Sequence, residues 1–492
     1  MRPCAWLVLS TLALARLASG QADPEAQARR LLDDARQYMK DGREKQAFDN
    51  LQTIVSGFSQ TDSVDDALLE IGRYHADVAG DVEAARQAFA QLAQQFPQSD
   101  GAPGAYYYLG RLRLAHARTA EDLDDALAQF DRLRSLYPRS DWVAAALHAT
   151  GLVHRRAGRL RDSLVAQRRT SLEYPASIVA AEAQLEIGHV LALLDQPTKA
   201  MEEFQRVRNR FPDSAMAAVA LDRITALLRL HGPGLTRFRR DAGWSLASGD
   251  VGRDVRAVLM DRQGQLWIAS DKVNAAVPFD ASGRMGASMR GQDLRTLSLT
   301  PRHEVLLTTR FGVRKAEGPR TFEMATKAGE PPEPLDKILA AAELPSGDWL
   351  VSDEKLKGVH RFDAAGKHVG PFPDTREREV VRIVIDGEGG IVWLDRKARS
   401  IETFDEGGRR QAQIGPRGTG YELIKPLDVA VDAFRNLYVA DERAGVLVLA
   451  RGGQLLTSVG QGSLDKPTAL TLSDDGALLV YDEKERQIVR FH

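Results

Sequence analysis

The spacing of hydrophobic residues changes once along the chain. From Asp23 to Leu230 apolar positions recur every three to four residues, as in amphipathic helices. From Thr236 onward they form short apolar runs, each closed by Asp, Asn or Gly turn residues, as in β-strands. A chain of 492 residues is too long for one hydrophobic core. We therefore predict a helical domain over residues 23–230, a Gly-Pro linker over 231–242 and a β domain over 243–492.

The helical half repeats a joint in which an aromatic residue, a proline and a serine follow one another. The prolines at 97, 138, 175 and 212 lie 41, 37 and 37 residues apart. The aromatic residue closes one helix, proline prevents its continuation, and the polar residue caps the next. The joints are Phe96-Pro97-Gln98-Ser99, Tyr137-Pro138-Arg139-Ser140, Tyr174-Pro175-Ala176-Ser177 and Phe211-Pro212-Asp213-Ser214.

The second helix of each unit keeps a fixed register before its joint. In the fifth unit a small residue, Ala200, is followed by Phe204 and Val207 on the same helix face. The pattern recurs as Ala126, Phe130, Leu133 and as Ala85, Phe89, Leu92, more weakly as Ala47, Leu51, Ile54, and most weakly as Ser163, Gln167, Thr170. The first helices carry a glycine each, at Gly72, Gly110, Gly151 and Gly188.

These residues resemble the tetratricopeptide repeat family, in particular its periplasmic branch with Phe-Pro-x-Ser joints. The resemblance extends over residues 24–230, as five helix pairs and a closing helix near Ser214 to Leu230. It implies an α-superhelix of stacked repeats whose concave face holds extended peptides or a partner protein.

The β half repeats a strand signature of the form apolar-apolar-x-x-Asp. Its six copies end at Asp271, Arg310, Asp353, Asp395, Asp441 and Asp482, with spacings of 39, 43, 42, 46 and 41 residues. This period predicts a six-bladed β-propeller. The last copy lacks a fourth strand, and we expect residues 243–249 to supply it and close the ring, because natural β proteins avoid open sheet edges. The stretch Lys425 to Asp441 resembles the NHL-repeat family of six-bladed propellers.

The first residues have the pattern of a secretory signal. Arg2 precedes a short apolar run from Cys4 to Ala15, and small residues follow, which predicts a signal peptide over residues 1–22. The chain has one cysteine, which is placed too early for lipidation, and no later stretch is long enough to cross a bilayer. We therefore expect a periplasmic or secreted protein without membrane insertion. The net charge of −2 gives no reason to expect a nucleic-acid partner.

Two clusters of charged residues depart from the repeats. The fourth helical unit carries an arginine cluster, which predicts either a patch for an acidic partner or a solvated face paired with nearby acids. In the second blade an arginine replaces the recurring Asp, and a Pro-rich loop runs from residue 317 to 335, which predicts either a binding loop or a degenerate blade. The candidate partner-binding residues are Arg155, Arg156, Arg159, Arg161, Arg168 and Arg169 in the helical half, and Arg302, His303 and Arg310 in the propeller.

The recurring Asp is interpreted as structural. A catalytic constellation breaks repeat symmetry, whereas this Asp appears in most blades and suits a turn that needs a hydrogen-bond acceptor. The sequence contains no His-Glu-x-x-His or Gly-x-Ser-x-Gly motif, and its histidines are scattered. We accordingly predict no catalytic residue, cofactor or metal ligand.

These patterns together favour a non-enzymatic exported scaffold that mediates protein–protein interactions in the bacterial cell envelope, with protein or peptide partners. Two alternatives stay open. One is a propeller hydrolase or lyase, similar to metal-dependent lactonases, with the helical half as a docking arm. The other is a protein that binds an envelope polysaccharide or peptidoglycan.

Overall fold

The computed structural model describes residues 23–232, 238–246, 249–315, 318–324, 332–372, 377–387, 389–416, 418 and 421–492. The expected signal peptide and residues 233–237 of the expected linker lie outside the described residues. The described chain divides into two compact units. The first comprises the described residues up to Ala115 together with Glu121–Val153, and the second comprises His116–Ala120 and His154–His492. No helix in the described part is both long enough and apolar enough to span a membrane.

Eleven α-helices occupy residues 24–231 of the described chain, as five pairs and a closing helix, which confirms the predicted helical repeat. The pairs are α1 (Pro24–Lys40) with α2 (Glu44–Gly57), α3 (Ser63–Tyr74) with α4 (Val82–Gln95), α5 (Ala102–Ala115) with α6 (Ala120–Leu136), α7 (Trp142–Arg156) with α8 (Leu160–Glu173), and α9 (Ala180–Leu193) with α10 (Pro197–Arg210); α11 (Ala215–His231) closes the series.

Each of three helix pairs is held together by a glycine packed against a phenylalanine. A Cβ atom on Gly72 would lie 2.3 Å from a ring carbon of Phe89, far inside van der Waals contact. The corresponding distance from Gly188 to the ring of Phe204 is 2.6 Å. The phenylalanines are fully buried, so the aromatic position of the register requires glycine on the facing helix.

Replacing Gly188 by alanine is therefore expected to destabilise the fifth helix pair. Overpacking against Phe204 costs about 1–3 kcal/mol, which exceeds the gain in helix propensity of about 1 kcal/mol. Thermal unfolding of the full chain measures the effect. Gly57→Ala is the matched control, because a Cβ at this helical glycine would meet no heavy atom within 4 Å. Equal behaviour of the two variants would contradict the packing argument.

The β half forms six four-stranded antiparallel sheets. Blade one is β2 (Val255–Met260), β3 (Leu266–Ser270), β4 (Ala275–Phe279) and β5 (Met289–Arg290). Blade two is β6 (Leu294–Leu299), β7 (Val305–Thr309), β8 (Gly312–Lys315) and β9 (Gly318–Arg320), followed by a small two-stranded sheet of β10 (Glu323–Met324) and β11 (Glu333–Pro334). Blade three is β12 (Ile338–Glu343), β13 (Trp349–Asp353), β14 (Gly358–Phe362) and β15 (His368–Pro371). Blade four is β16 (Val380–Ile385), β17 (Ile391–Asp395), β18 (Ser400–Phe404) and β19 (Arg410–Ile414). Blade five is β20 (Pro426–Val431), β21 (Leu437–Asp441), β22 (Gly445–Leu449) and β23 (Leu455–Val459).

The last blade takes its fourth strand from the start of the β half. Strands β24 (Pro467–Leu472), β25 (Leu478–Asp482) and β26 (Gln487–Phe491) are completed by β1 (Arg240–Leu246). Ser245 lies opposite Val489, and the backbones of Arg239 and His492 exchange hydrogen bonds of 2.8 and 3.0 Å. This strand begins three residues before the stretch indicated by the sequence. The first strands of the six blades contact one another in a closed ring, which confirms the six-bladed propeller.

The pairing register corrects the position of the recurring signature in the first two blades. In every blade the last residue of the second strand lies opposite the first residue of the innermost strand, as Asp441 lies opposite Pro426. By this register the equivalent residues are Ser270 and Thr309, not Asp271 and Arg310. Aspartate therefore occupies the position in four blades, at Asp353, Asp395, Asp441 and Asp482.

Candidate functional site

The aspartates at the ends of the second strands bind backbone amides. The buried Asp441 accepts hydrogen bonds from the N–H groups of Ile424 and Lys425, at 2.9 Å each, and from those of Arg443 and Ala444 in the following turn. The other three aspartates accept bonds from the same kind of turn. Backbone amides thus engage all four carboxylates, and Asp395 also pairs with Arg378 at 3.3 Å, so each holds its own turn together.

In the first two blades a serine or threonine hydroxyl occupies the position of this aspartate. The Ser270 hydroxyl donates to the carbonyl of Arg253. The Thr309 hydroxyl donates to the carbonyl of Gly312 at 3.1 Å and accepts from the N–H of Phe311 at 3.3 Å. Local hydrogen bonds of Ser and Thr thus take over part of the role of the aspartate.

The strongest departure from repeat symmetry lies at the centre of the ring. Arg382 and Asp428 occupy the same position on the innermost strands of blades four and five, and their side chains form a buried ion pair of 3.2 Å. Arg382 also donates to the carbonyl of Leu297 in blade two. Asp428 accepts from the N–H of Leu470 in blade six at 3.0 Å. This pair therefore joins four blades across the axis of the ring.

The electrostatics of this pair are dominated by burial. Burial raises the pKa of the Asp428 carboxyl, and the Arg382 guanidinium opposes that rise. Over the described residues, no three histidine, cysteine, aspartate or glutamate side chains come together as a metal-binding group. Arg382 and Asp428 thus place one positive and one negative charge against each other, while Thr296 occupies the equivalent position in blade two.

Within the second compact unit the last helices pack on the turns of the propeller. Arg156, at the end of α7, pairs with the buried Glu406 and donates to the carbonyl of Ala117 at 2.8 Å. Arg229 of α11 pairs with Asp475 at 3.1 Å. Burial raises the pKa of Glu406 while the Arg156 guanidinium lowers it, as expected for a carboxylate removed from water and paired. These contacts join residues that are far apart in sequence, and they fix the helices to the ring.

An aromatic contact lies beside these ion pairs. Phe434, in the turn between β20 and β21, packs edge-on against His189 of α9 at a ring distance of 5.9 Å and lies 6.4 Å from Phe204 of α10. Burial, reinforced by Arg155, lowers the pKa of His189 to about 4. His189 is therefore neutral at ordinary pH and packs as an aromatic residue.

The turn that carries Phe434 begins with Asp432, whose pKa burial raises from 3.8 to about 6. A carboxyl with a raised pKa favours folding when protonated. Its stabilising effect is complete below the ordinary pKa and is lost as the pH rises through about 6. We expect the melting temperature of the wild type, relative to that of Asp432→Asn, to fall between pH 5 and pH 7.

The matched control for this pH dependence is Asp280→Asn. Asp280 begins a turn of the same kind, but hydrogen bonds from Ser282 and Arg284 lower its pKa to about 2. Its contribution is lost only as the pH falls toward that value, so the control and the wild type should differ by a constant amount between pH 5 and pH 7. A constant difference for Asp432→Asn as well would contradict the assignment.

The arginines of the fourth helical unit differ in burial and in ion pairing. Arg155 and Arg156 are largely buried and pair with Glu186, at 3.2 Å, and with Glu406. Arg159 is half-buried, and Arg169 is exposed but pairs with Glu173 in the same helix at 2.9 Å. Arg161 and Arg168 are exposed on α8. Only part of the cluster is thus available to an acidic partner.

The three candidate residues of blade two do not come together. Arg302 and His303 lie exposed in the turn before β7, whereas Arg310 follows its last residue, at the other end of the strand. A five-residue strand separates the two ends by roughly 17 Å. The Arg310 guanidinium donates to the carbonyl of Asp336 at 2.8 Å, next to the end of the Pro-rich loop, of which residues 317 and 325–331 lie outside the described residues.

A groove of about 670 Å³ lies in the first compact unit, at the joints that flank α3. Both arginines that line it are paired, Arg29 with Glu25 and Arg36 with Asp66. Burial raises the pKa of Asp65, which lines the groove. The remaining acidic residues leave the groove with a surplus of negative charge; they are Asp33, Asp62, Asp65 and Asp100.

Comparison with known proteins identifies a repeat family in the helical half. Residues 66–99 and 182–214, which span the second and fifth helix pairs, match the family described as Tetratricopeptide repeat. No match to the chain was found among curated proteins. Among solved structures, virginiamycin B lyase from Staphylococcus aureus is similar at 13% identity and a TM-score of 0.37, over 51% of this chain and 84% of that one.

Two further solved structures cover one half of the chain each. A gluconolactonase from Xanthomonas campestris is similar at 13% identity and a TM-score of 0.40, over 52% of this chain and 90% of its own. A thermophilic tetratricopeptide repeat protein from Thermus thermophilus is similar at 16% identity and a TM-score of 0.33, over 40% of this chain and 98% of its own. The family model identifies tetratricopeptide repeats at residues 66–99 and 182–214, and the sheet topology shows a six-bladed propeller after them.

Proposed function

We propose that the protein is a non-enzymatic scaffold that holds protein partners in the bacterial cell envelope. The observation that carries the proposal is the packing of helices α8–α11 and the propeller in one compact unit. Buried pairs such as Arg156 with Glu406 fix the two kinds of repeat to each other. A platform of this kind presents helical and propeller surfaces at a constant distance, which is the property that a scaffold needs.

The composition of the chain supports the envelope setting. The apolar run from Cys4 to Ala15 after Arg2 is the pattern of an export signal, and the rest of the chain is free of cysteine. Tetratricopeptide repeats generally bind proteins and peptides along their stacked helices. The partners we propose are therefore envelope proteins, and not nucleic acids.

The test is reconstitution of a defined complex. The full-length tagged protein is cross-linked in its native host and purified, and the most enriched envelope protein is then produced separately. We expect the two purified proteins to form a complex of fixed stoichiometry by sedimentation. The proposal fails if no purified candidate binds and the protein instead sediments with peptidoglycan or opens lactone substrates with turnover.

The contribution of the fixed platform is tested with Glu406→Arg, which places two guanidinium groups against each other at Arg156. Glu377→Arg is the control, because Glu377 is exposed and pairs with surface lysines. We expect the first variant, and not the second, to weaken a complex that requires both kinds of repeat.

A further inference from the structure

In helix α8 the polar and apolar faces are exchanged relative to an ordinary repeat helix, and we call this arrangement inverted. Its inward register positions are the polar residues Ser163, Gln167 and Thr170, all fully buried. Its outward side chains include Val165 and Leu172, which are 59% and 75% exposed. Apolar residues on the solvent side of a helix whose polar residues face inward indicate a second surface that is covered by something else.

The next second helix, α10, shows the usual arrangement at the same positions. Its inward residues are Ala200, Phe204 and Val207, all fully buried. The residues that correspond to the outer face of α8 are all polar and exposed: Thr198, Glu202, Gln205 and Asn209. The corresponding sequence positions of the other second helices are polar or small as well: Lys45, Asp49, Gln52 and Ser56 in α2, Glu83, Gln87, Ala90 and Gln94 in α4, and Asp124, Ala128, Asp131 and Ser135 in α6.

The inward face of α8 is stabilised by hydrogen bonds. The Ser171 hydroxyl lies 3.0 Å from the side-chain oxygen of Gln184, and the Gln184 amide donates to Glu203 at 2.7 Å. Glu203 in turn pairs with Arg206 at 2.6 Å. The Thr170 hydroxyl donates to the carbonyl of Ala166 at 3.0 Å, whereas the buried Ser163 hydroxyl has no partner among the described residues. Most of the polar interior is thus hydrogen-bonded, and the exposed valine and leucine take no part in packing within the repeat.

The outer residues of α8 form a narrow stripe. At 100° per residue, Arg161, Val165, Arg168 and Leu172 fall within an arc of roughly 60°. We refer to these four residues as the α8 stripe. Over the described residues no acidic side chain pairs with Arg161 or Arg168, whereas Arg169, outside the arc, pairs with Glu173. Ile178, which is 94% exposed, follows in the joint after α8.

We propose that the α8 stripe is the docking surface for an acidic amphipathic helix of a partner protein. The inference rests on the scaffold function and names the chemistry of one partner. Apolar residues at helical spacing on the partner cover Val165 and Leu172, and its carboxylates pair with Arg161 and Arg168. Charge complementarity selects this occupant, because the stripe offers two cations without counter-charges among the described residues. A lipid surface would require a wider apolar face and more basic residues.

The test uses the full-length protein and a synthetic helical peptide as probe. The fluorescein-labelled peptide is about 20 residues long, with leucines along one face and glutamates beside them. We expect fluorescence anisotropy to show binding, and Arg161→Gln/Arg168→Gln to weaken it about tenfold or more. The matched control is Thr198→Glu/Gln205→Glu at the corresponding positions of α10, which lowers the net charge by the same two units. A peptide of the same composition with its leucines spread around the helix should bind about tenfold more weakly.

Several outcomes would overturn the inference. Equal weakening by the α8 and α10 variants would show attraction by overall charge and not by the stripe. Binding of the wild type to anionic phosphatidylglycerol vesicles but not to the peptide would assign the stripe to lipid. A dimer that the α8 variant dissociates, detected by sedimentation, would assign it to a second copy of the chain. Circular dichroism melts of each variant verify that the fold is retained.

Failure of this inference is distinguishable from failure of the scaffold function. If the peptide does not bind, but a purified envelope partner binds the wild type and the α8 variant equally, the stripe is not the docking surface and the scaffold function stands. If neither the peptide nor any purified envelope protein binds, both proposals fail.

Discussion

A chain carrying Ser245→Pro and Leu246→Pro is expected to lose on the order of 3 kcal/mol of its free energy of unfolding. Both residues lie on β1 and pair with β26, where they close the ring. Proline removes backbone donors from the strand pairing, each bond contributing about 1 kcal/mol, and misplaces the half-buried Leu246 and Trp244, which pack against blade one. Because β1 and β26 come from opposite ends of the propeller sequence, no local contact replaces the lost pairing. Thermal and urea unfolding measure the change.

The comparison for the closing strand is Met289→Pro/Arg290→Pro. These residues form β5, the two-residue fourth strand of blade one, which is joined to its sheet by a local connection. We expect this pair of prolines to cost less than about 1 kcal/mol, because β5 has only two residues and its short chain connection to β4 holds it beside its sheet. If the two double variants melt at the same temperature, ring closure by β1 stabilises the protein no more than the pairing of β5 does.

The helical architecture could be predicted because its determinants are local. The aromatic-Pro-x-Ser joints end one helix and cap the next within a few residues, and Ser214 indeed caps α11 by accepting from the N–H of Met216. The glycine and phenylalanine of each pair, such as Gly188 and Phe204, lie only 16 to 20 residues apart in sequence. Periodicity alone is enough to place such elements.

The register of the strands could not be predicted as well. Asp271 follows Ser270 directly, and the sequence pattern accepted the aspartate because it resembles the other blades. The pairing of Val255 with Ser270 shows that the strand ends one residue earlier. A shift of one residue reverses the face of a strand side chain, and only the partner strand settles it.

The candidate sites depended on information that the sequence does not hold. The six arginines of the cluster lie close together in sequence. In the structure, however, Arg156 packs against Glu406, 250 residues away, while Arg168 faces outward. The sequence shows that the register of α8 is the weakest copy, with the polar residues Ser163, Gln167 and Thr170. That apolar residues occupy its outer face became clear only from the exposure of Val165 and Leu172 in the structure. Arg382 and Asp428 could have been found by aligning the innermost strands, because both occupy the third position.

Replacing Asp428 by alanine is expected to destabilise the propeller by about 3–5 kcal/mol, because Arg382 would stay buried without a counter-charge. The N–H of Leu470 would lose its acceptor as well. Thermal unfolding of the full chain measures the effect. The control Asp271→Ala removes a carboxylate that pairs with Arg256, whose side chain is 56% exposed, and that accepts from the N–H of Leu294 at 3.0 Å; it should cost about 1–2 kcal/mol.

The double variant Arg382→Met/Asp428→Ala separates the pair from its parts. Removing both charges leaves no unpaired ion at the axis, and a buried ion pair contributes little beyond an apolar pair of similar volume. We therefore expect the double variant to regain at least half of the stability that Asp428→Ala loses. Such a recovery would mean that each residue is needed mainly to neutralise the charge of the other, and that the pair has a structural role at the axis of the ring. A stable Asp428→Ala protein would mean the opposite, because Arg382 would then tolerate the loss of its partner and would be available to an anionic ligand.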